Sequence, residues 1–289
     1  MPSVTKQTNV VKAKPKSENV LDRIADIDAD APMRMLVYGD TGKGKTTFWG
    51  TFPGRTLAVL CSGGRNPGEL KSLNTPEHRK RIKQVALRSS DEMREIVDHV
   101  RDSGSFDNIV LDHASGFQDL ILKELLGLDE IPVQKSFGLA SQQTYAQVAQ
   151  MCKEYWRAMM NLPVRVVFVA HQRTFGGRDE GADPDLVAPT VGAGLTPSLC
   201  GWLNGACDYI VQCYVRPKME VRKTTMAGKT VETNVRGKGV EYCLRTGPHD
   251  VYYTKFRLPK GTPLPECVVD PTYEKVLALS EGRPLPSGK

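Results

Sequence analysis

No apolar run in this 289-residue chain approaches the ~18 residues needed to cross a bilayer. Its N-terminus also has no apolar segment of the kind that forms a secretory signal. A cytoplasmic location and no membrane partner are the expectation. Paired cysteines are missing as well. The seven cysteines are odd in number and never spaced C-x-x-C, which argues against a disulfide framework or a zinc site and for reduced thiols in the core. The guanine-reading pattern N-K-x-D is absent. Charge of one sign does not dominate: the formal net charge is +6, which suits a polyanionic partner such as nucleic acid and is equally accounted for by solvated surface charge. The 40% hydrophobic content is ordinary for a globular chain of one large α/β domain or two small ones.

What is present is most concentrated at residues 38–48, "YGDTGKGKTTF", which pack three glycines and two lysines behind the apolar "MRMLVY". Gly39, four residues, Gly44, Lys45 and Thr46 fit the phosphate-binding pattern G-x-x-x-x-G-K-[ST], with a β-compatible run before it and a helix-compatible "TTFWGTF" after it. Glycines let successive backbone N–H groups turn inward, and the helix that follows adds its positive end. The loop Gly39, Asp40, Thr41, Gly42, Lys43, Gly44, Lys45, Thr46 and Thr47 is therefore the candidate nucleotide cradle. Lys45 is expected at the β- and γ-phosphates and Thr46 at Mg²⁺. A surface turn with incidental lysines is the bland alternative.

Upstream, residues 1–20 carry Lys6, Lys12, Lys14 and Lys16 with no periodicity and read as a disordered basic tail, part of a boundary drawn at residue 30. An amphipathic piece, "VLDRIADIDADAP", follows. Downstream, "RTLAVLC" and "IKQVAL" read as strands, and "SDEMREIVDHVRDSG" as a helix with Ser90 as its N-cap. In "NIVLDH" an apolar run is closed by Asp112, at the strand end where parallel sheets place their ligands. Asp112 is accordingly the candidate Mg²⁺ carboxylate; a helix-capping aspartate is the alternative. "FQDLILKELLGL" and "ASQQTYAQVAQMCKEYWRAMMNL" read as helices, the second with a core stripe of Val148, Met151, Tyr155 and Met159. The strand "PVRVVFVAHQ" ends in His171 and Gln172, expected beside the γ-phosphate unless they are merely a polar strand end.

Residues 173–198 are rich in Gly and Pro without a clear period and are expected to be a long loop. The remainder is strand-rich. Arg216, Lys218, Arg222, Lys223, Lys229, Arg236 and Lys238 crowd a β-ribbon that turns at Ala227-Gly228. That ribbon is either a solvated, edge-protecting hairpin or a phosphate-contacting one.

The order "GDTGKGKTT", "NIVLDH", "VVFVAHQ", a Gly/Pro-rich loop, "GACDYIVQCYV" and "YYTKFRLP" resembles the phage-encoded AAA/RecA-like P-loop family that includes the Sak-type single-strand-annealing recombination ATPases. The resemblance covers roughly residues 31–280; the P-loop is specific to the superfamily and the later segments are individually weak. It implies an α/β RecA-like P-loop NTPase core, with a mostly parallel central sheet flanked by helices over residues 31–283 and a C-terminal antiparallel ribbon over 216–245. Two candidate strands between the P-loop and Asp112 agree with that sheet type. It further implies ATP and Mg²⁺ as cofactors, single-stranded DNA as a partner, assembly into a ring or filament, and residence in a host cytoplasm. A single-strand-binding or other recombination protein is a further partner that it allows. By the same resemblance the 173–198 loop, with Arg173 and Arg178, joins the ribbon residues Arg222, Lys223, Lys229, Arg236 and Lys238 as the DNA-contacting set. Lys255 and Arg257, two apart and so on one face of a strand, look like a finger that reaches a neighbouring subunit's nucleotide.

One departure stands out. Such ATPases carry a glutamate just after the second strand to orient the attacking water, and here "VLCSGGRNPGEL" has Ser62, with Glu69 the first acid beyond it. Hydrolysis is therefore expected to be slow, with Glu69 reaching in, or ATP serving mainly as an assembly switch; a purely structural Glu69 stands beside both. The rival reading is a P-loop ATPase module that binds a protein, in chaperone-like or packaging-associated fashion, rather than DNA.

Overall fold

Short runs of apolar residues become the parallel strands of one central sheet because both of their faces are covered. The computed structural model describes residues 31–61, 70–128, 140–176, 189–226 and 229–286, and within these not the side chains of 222–232 and 234. The strands β1 (Arg34–Tyr38), β2 (Thr56–Leu60), β3 (Ile82–Ala86), β4 (Asn108–Asp112) and β5 (Arg165–Ala170) run parallel in the order β3-β2-β4-β5-β1. On the far side of β1 the sheet continues with β8 (Tyr209–Met226), parallel to β1, and then turns antiparallel through β9 (Lys229–Arg245) and β11 (Cys267–Val269). β5 thus lies between the P-loop strand and the strand that ends in Asp112. This is the RecA-like core that the sequence leads one to expect.

Alternate residues of each strand feed two cores. On one face Leu36, Tyr38, Val59, Leu111 and Phe168 pack with Val97, Phe117, Trp156 and Leu203. These last four belong to α3 (Glu92–Ser103), α4 (Ala114–Leu126), α5 (Gln142–Met160) and α6 (Pro197–Ala206). On the other face Met35, Val37, Ala58, Val110 and Val169 meet Phe48 and Trp49 of α1 (Lys45–Trp49) and Val276 of α7 (Tyr273–Ser280). Each of the larger aliphatic and phenyl side chains withdrawn from water contributes about 1.5–3 kcal/mol. Of the expected α5 stripe, Val148, Tyr155 and Met159 are fully buried and Met151 packs partly against them.

Arg34 ties the start of β1 to the turn that leaves α5. Its guanidinium donates to the carbonyls of Met160 (2.8 Å), Val164 (2.8 Å), Leu162 (2.7 Å) and Pro32 (2.8 Å). These carbonyls include orphans of a helix C-terminus, which a cation suits.

Several expectations change. The described parts of 173–198 carry regular structure: β6 (Gln172–Phe175) and β7 (Thr190–Ala193) pair as antiparallel strands, and α6 opens at Pro197, whose fixed φ suits a first helical position. The ribbon is the outer part of two long strands, β8 and β9. Pro217 and the Gly237-Lys238-Gly239 stretch look like breaks in sequence but form a bulge between Pro217 and Met219 that the ladder runs past. "VYYTKFRL" supplies only the two-residue β10 (Lys255–Phe256), antiparallel to β8. Ser90 is not the cap of α3; Asp91 holds that position, and the Ser90 hydroxyl and N–H donate instead to Glu124. The basic tail, the amphipathic piece that follows it up to Asp30, Ser62, Glu69, Arg178 and the Ala227-Gly228 turn lie outside the described residues.

Candidate functional site

The carboxyl ends of β1, β4 and β5 open on one crevice, where such sheets bind ligands. β1 delivers the P-loop there. Gly39 is required by close approach, since a Cβ at that position would collide with the backbone oxygen of Cys213 on β8. Gly44 caps α1 in the left-handed region, at φ 86°, where a side chain is strained.

Lys45 is buried and its ammonium donates to the carbonyls of Gly39 and Asp40, both at 2.8 Å. Burial lowers its pKa, against the opposing influence of Cys213, Asp112 and Asp40. Asp112 ends β4, and one of its carboxylate oxygens accepts from the Trp49 indole N–H at 3.1 Å, so α1 fixes the orientation of the acid. The Asp112–His113 peptide bond is cis. His113 caps α4, its Nδ1 accepting from Gly116 N at 2.8 Å. Its ring meets that of His171 edge-on, with centroids 4.4 Å apart. Burial, then His171, then Lys45 push the His113 pKa down to about 4. Desolvation and Lys45 lower that of His171 also, with Asp40 opposing.

These groups surround a cavity of about 560 Å³ lined by Thr41 to Thr47, Ser72, Asp112, His113, His171 and Tyr242. Its volume falls in the range of small-ligand sites, roughly 300–1,000 Å³. A glycine-turned loop, a buried ammonium, the Thr46 hydroxyl and a carboxylate opposite are the donor set that a nucleoside triphosphate with Mg²⁺ requires. When bound, the metal would neutralise phosphate charge. Thr46 and Asp112 would hold it, and Lys45 would exchange backbone carbonyls for phosphate oxygens. A second cavity, of about 490 Å³, includes Lys71, His78, Arg79 and Lys83 in its lining and shares no residue with the P-loop.

The fold and the crevice together define a P-loop nucleotide-binding protein. The profile of the AAA domain family matches residues 31–258, and the chain belongs to that family, whose members generally use ATP with Mg²⁺. No curated protein matches the chain. Among the described residues no helix is long and apolar enough to cross a membrane.

The other expected residues fall in different places. Gln172 stands one residue beyond the cavity wall, donating to the Asp40 carboxylate at 3.4 Å. Arg173 is exposed on the β6–β7 hairpin, its guanidinium 5.6 Å from the centre of the Phe175 ring. Arg236 and Lys238 are exposed on β9, while the side chains of Arg222, Lys223 and Lys229 lie outside the described set. Lys255 donates to the carbonyls of Asn204, Gly205 and Cys207, at and just after the end of α6, and Arg257 pairs with Asp208 at 2.7 Å. Both thus reach the α6–β8 junction, level with the start of β1 and at the opposite end of the strands from the P-loop of the same chain. Sequence reasoning missed His113, Ser72 and Tyr242. Tyr242 reaches the P-loop only because β9 folds back along β8, and no local motif marks it.

Proposed function

We propose that the chain is an ATP- and Mg²⁺-binding RecA-like protein that acts on single-stranded DNA, in recombination, strand annealing or replication. One observation carries the reading: the strand that closes the nucleotide cavity also carries the candidate DNA surface. Tyr242 of β9 lies over Gly44, so close that a Cβ there would meet its ring at 3.0 Å, and the same strand continues outward to exposed Lys238 and Arg236. Occupancy of the P-loop can therefore bias the ribbon directly. Arg173 and Phe175 on the neighbouring hairpin add a cation and a ring of the kind that hold phosphates and stack bases.

The ribbon also supports the rival. Met219, Val221 and Val240 are 51%, 58% and 55% exposed, and exposed apolar side chains on the ribbon suit a protein partner. Binding to a labelled oligonucleotide across a salt series decides between them. For DNA the log–log slope should be about −0.7 per neutralised phosphate, and Arg236→Ala with Lys238→Ala should flatten it by about 1.4. Lys45→Ala should abolish binding of a fluorescent ATP analogue at fixed Mg²⁺; unchanged affinity would sink the nucleotide assignment. A DNA slope indifferent to the ribbon changes would return the ribbon to its protein-binding alternative.

A further inference from the structure

A line of side chains outside the P-loop motif leads from the ribbon to the loop. Arg245 of β9 donates through Nε to Gln212 Oε1 on β8 at 3.1 Å. Gln212 Nε2 donates to Gln172 Oε1 at 2.7 Å, and Gln172 Nε2 donates to Asp40 Oδ2 at 3.4 Å. Gln212 and Arg245 are 3% and 9% exposed. Arg245 is held at its other end by Glu266, at 2.7 Å, and by the rings of Tyr214 and Tyr252, each 4.6 Å from its guanidinium carbon.

The direction of this line is dictated by chemistry. A glutamine amide presents nearly isosteric donor and acceptor ends and can turn either way, whereas a guanidinium can only donate. Arg245 therefore fixes the carbonyl end of Gln212 toward itself. That leaves the amide nitrogen of Gln212 toward Gln172, which must answer with its own carbonyl. The nitrogen of Gln172 is then left facing the P-loop.

We propose that Arg245 and Gln212 are positioning residues that hold Gln172 with its NH₂ toward the P-loop, making it a donor for the terminal phosphate of a nucleoside triphosphate. In the reverse orientation a carbonyl oxygen would face that phosphate and repel it. The inference rests on the nucleotide reading above and deepens it, by assigning discrimination between triphosphate and diphosphate to residues of the ribbon strands.

Affinities for ADP and for a nonhydrolysable ATP analogue, both with Mg²⁺, test it, together with melting curves of the nucleotide-free variants. Gln172→Ala should lower the preference for the triphosphate about tenfold and leave ADP affinity unchanged. Gln212→Glu still accepts from Arg245 but cannot donate to Gln172, so it should show the same selective loss, and the double variant no more than either. Gln212→Met removes the same donor without adding charge and carries the test if the glutamate variant does not fold. Arg245→Lys keeps a donor-only neighbour and should keep the preference, whereas Arg245→Gln should relax it. Full preference in folded Gln212→Glu, or equal loss in both Arg245 variants, would overturn the inference. If the unaltered protein binds neither nucleotide, the nucleotide reading itself has failed, which is a separate and recognisable result.

Discussion

His113 joins two duties in one ring, capping a helix and walling the nucleotide cavity, and its proton affinity follows from that position. Its pKa in the fold is about 4 against an ordinary 6.5. Between those values the unfolded chain binds a proton that the folded chain refuses, so stability is complete above the unfolded pKa and falls as pH drops through this window. His171, shifted the same way, adds to the slope. Thermal melts at pH 7.5 and pH 5 should therefore show lower stability at the acidic end. His113→Asn, whose side-chain oxygen can still accept from Gly116 N as a cap, should remove much of the difference. An undiminished difference in that variant would mean that other groups control the acid response.

At the scale of elements, the parts that sequence exposes are those whose chemistry is local. The P-loop is one contiguous motif. β4 and β5 are apolar runs that end in polar groups, so Asp112, His171 and Gln172 could be placed at a strand end before any fold was known. Tyr242, Gln212 and Arg245 could not, because their roles depend on β8 lying beside β1 and β9 returning along β8, pairings that no periodicity within either strand encodes. Pro217 and the glycines at 237 and 239 also look like strand ends, though the ladder accommodates them as a bulge. Arg34 is a further case: an isolated arginine in sequence, it joins β1 to the end of α5 through the carbonyls of Met160, Leu162 and Val164 and also holds that of Pro32. Charge-assisted hydrogen bonds contribute ~1.5–3 kcal/mol each and do not sum fully, so Arg34→Met should cost about 3 kcal/mol. Urea unfolding should register that loss while ATP-analogue affinity stays unchanged; a cost below ~1 kcal/mol would mean that water replaces the guanidinium.

For the molecule as a whole, the P-loop and Arg257 occupy opposite ends of the same strands, so any arginine contribution from this position must go to another copy. A head-to-tail assembly would bring it there, at the expense of the exposed Arg257–Asp208 pair, which contributes only ~0–1 kcal/mol. Arg257→Ala should then bind ATP normally as a monomer yet lose ATP-dependent assembly or turnover. Mixed with Lys45→Ala protein it should recover part of that activity, because some interfaces pair an intact loop with an intact finger. Co-assembly without recovery would rule the finger out. The ribbon adds a mechanical consequence. Beyond Pro217 its two strands pair, among the described residues, only with each other, and at ~3.3 Å per residue the stretch from there to Met226 is about 30 Å long. It is a lever whose short end is Tyr242, against the P-loop, and whose pivot is the bulge. Tyr242 lies two residues from the bulge, where Val240 pairs with Pro217, so the short arm is about 7 Å. A tilt of ~10° would move the ring about 1 Å and carry the tip roughly 5 Å, a magnification of about four- to fivefold over these lengths.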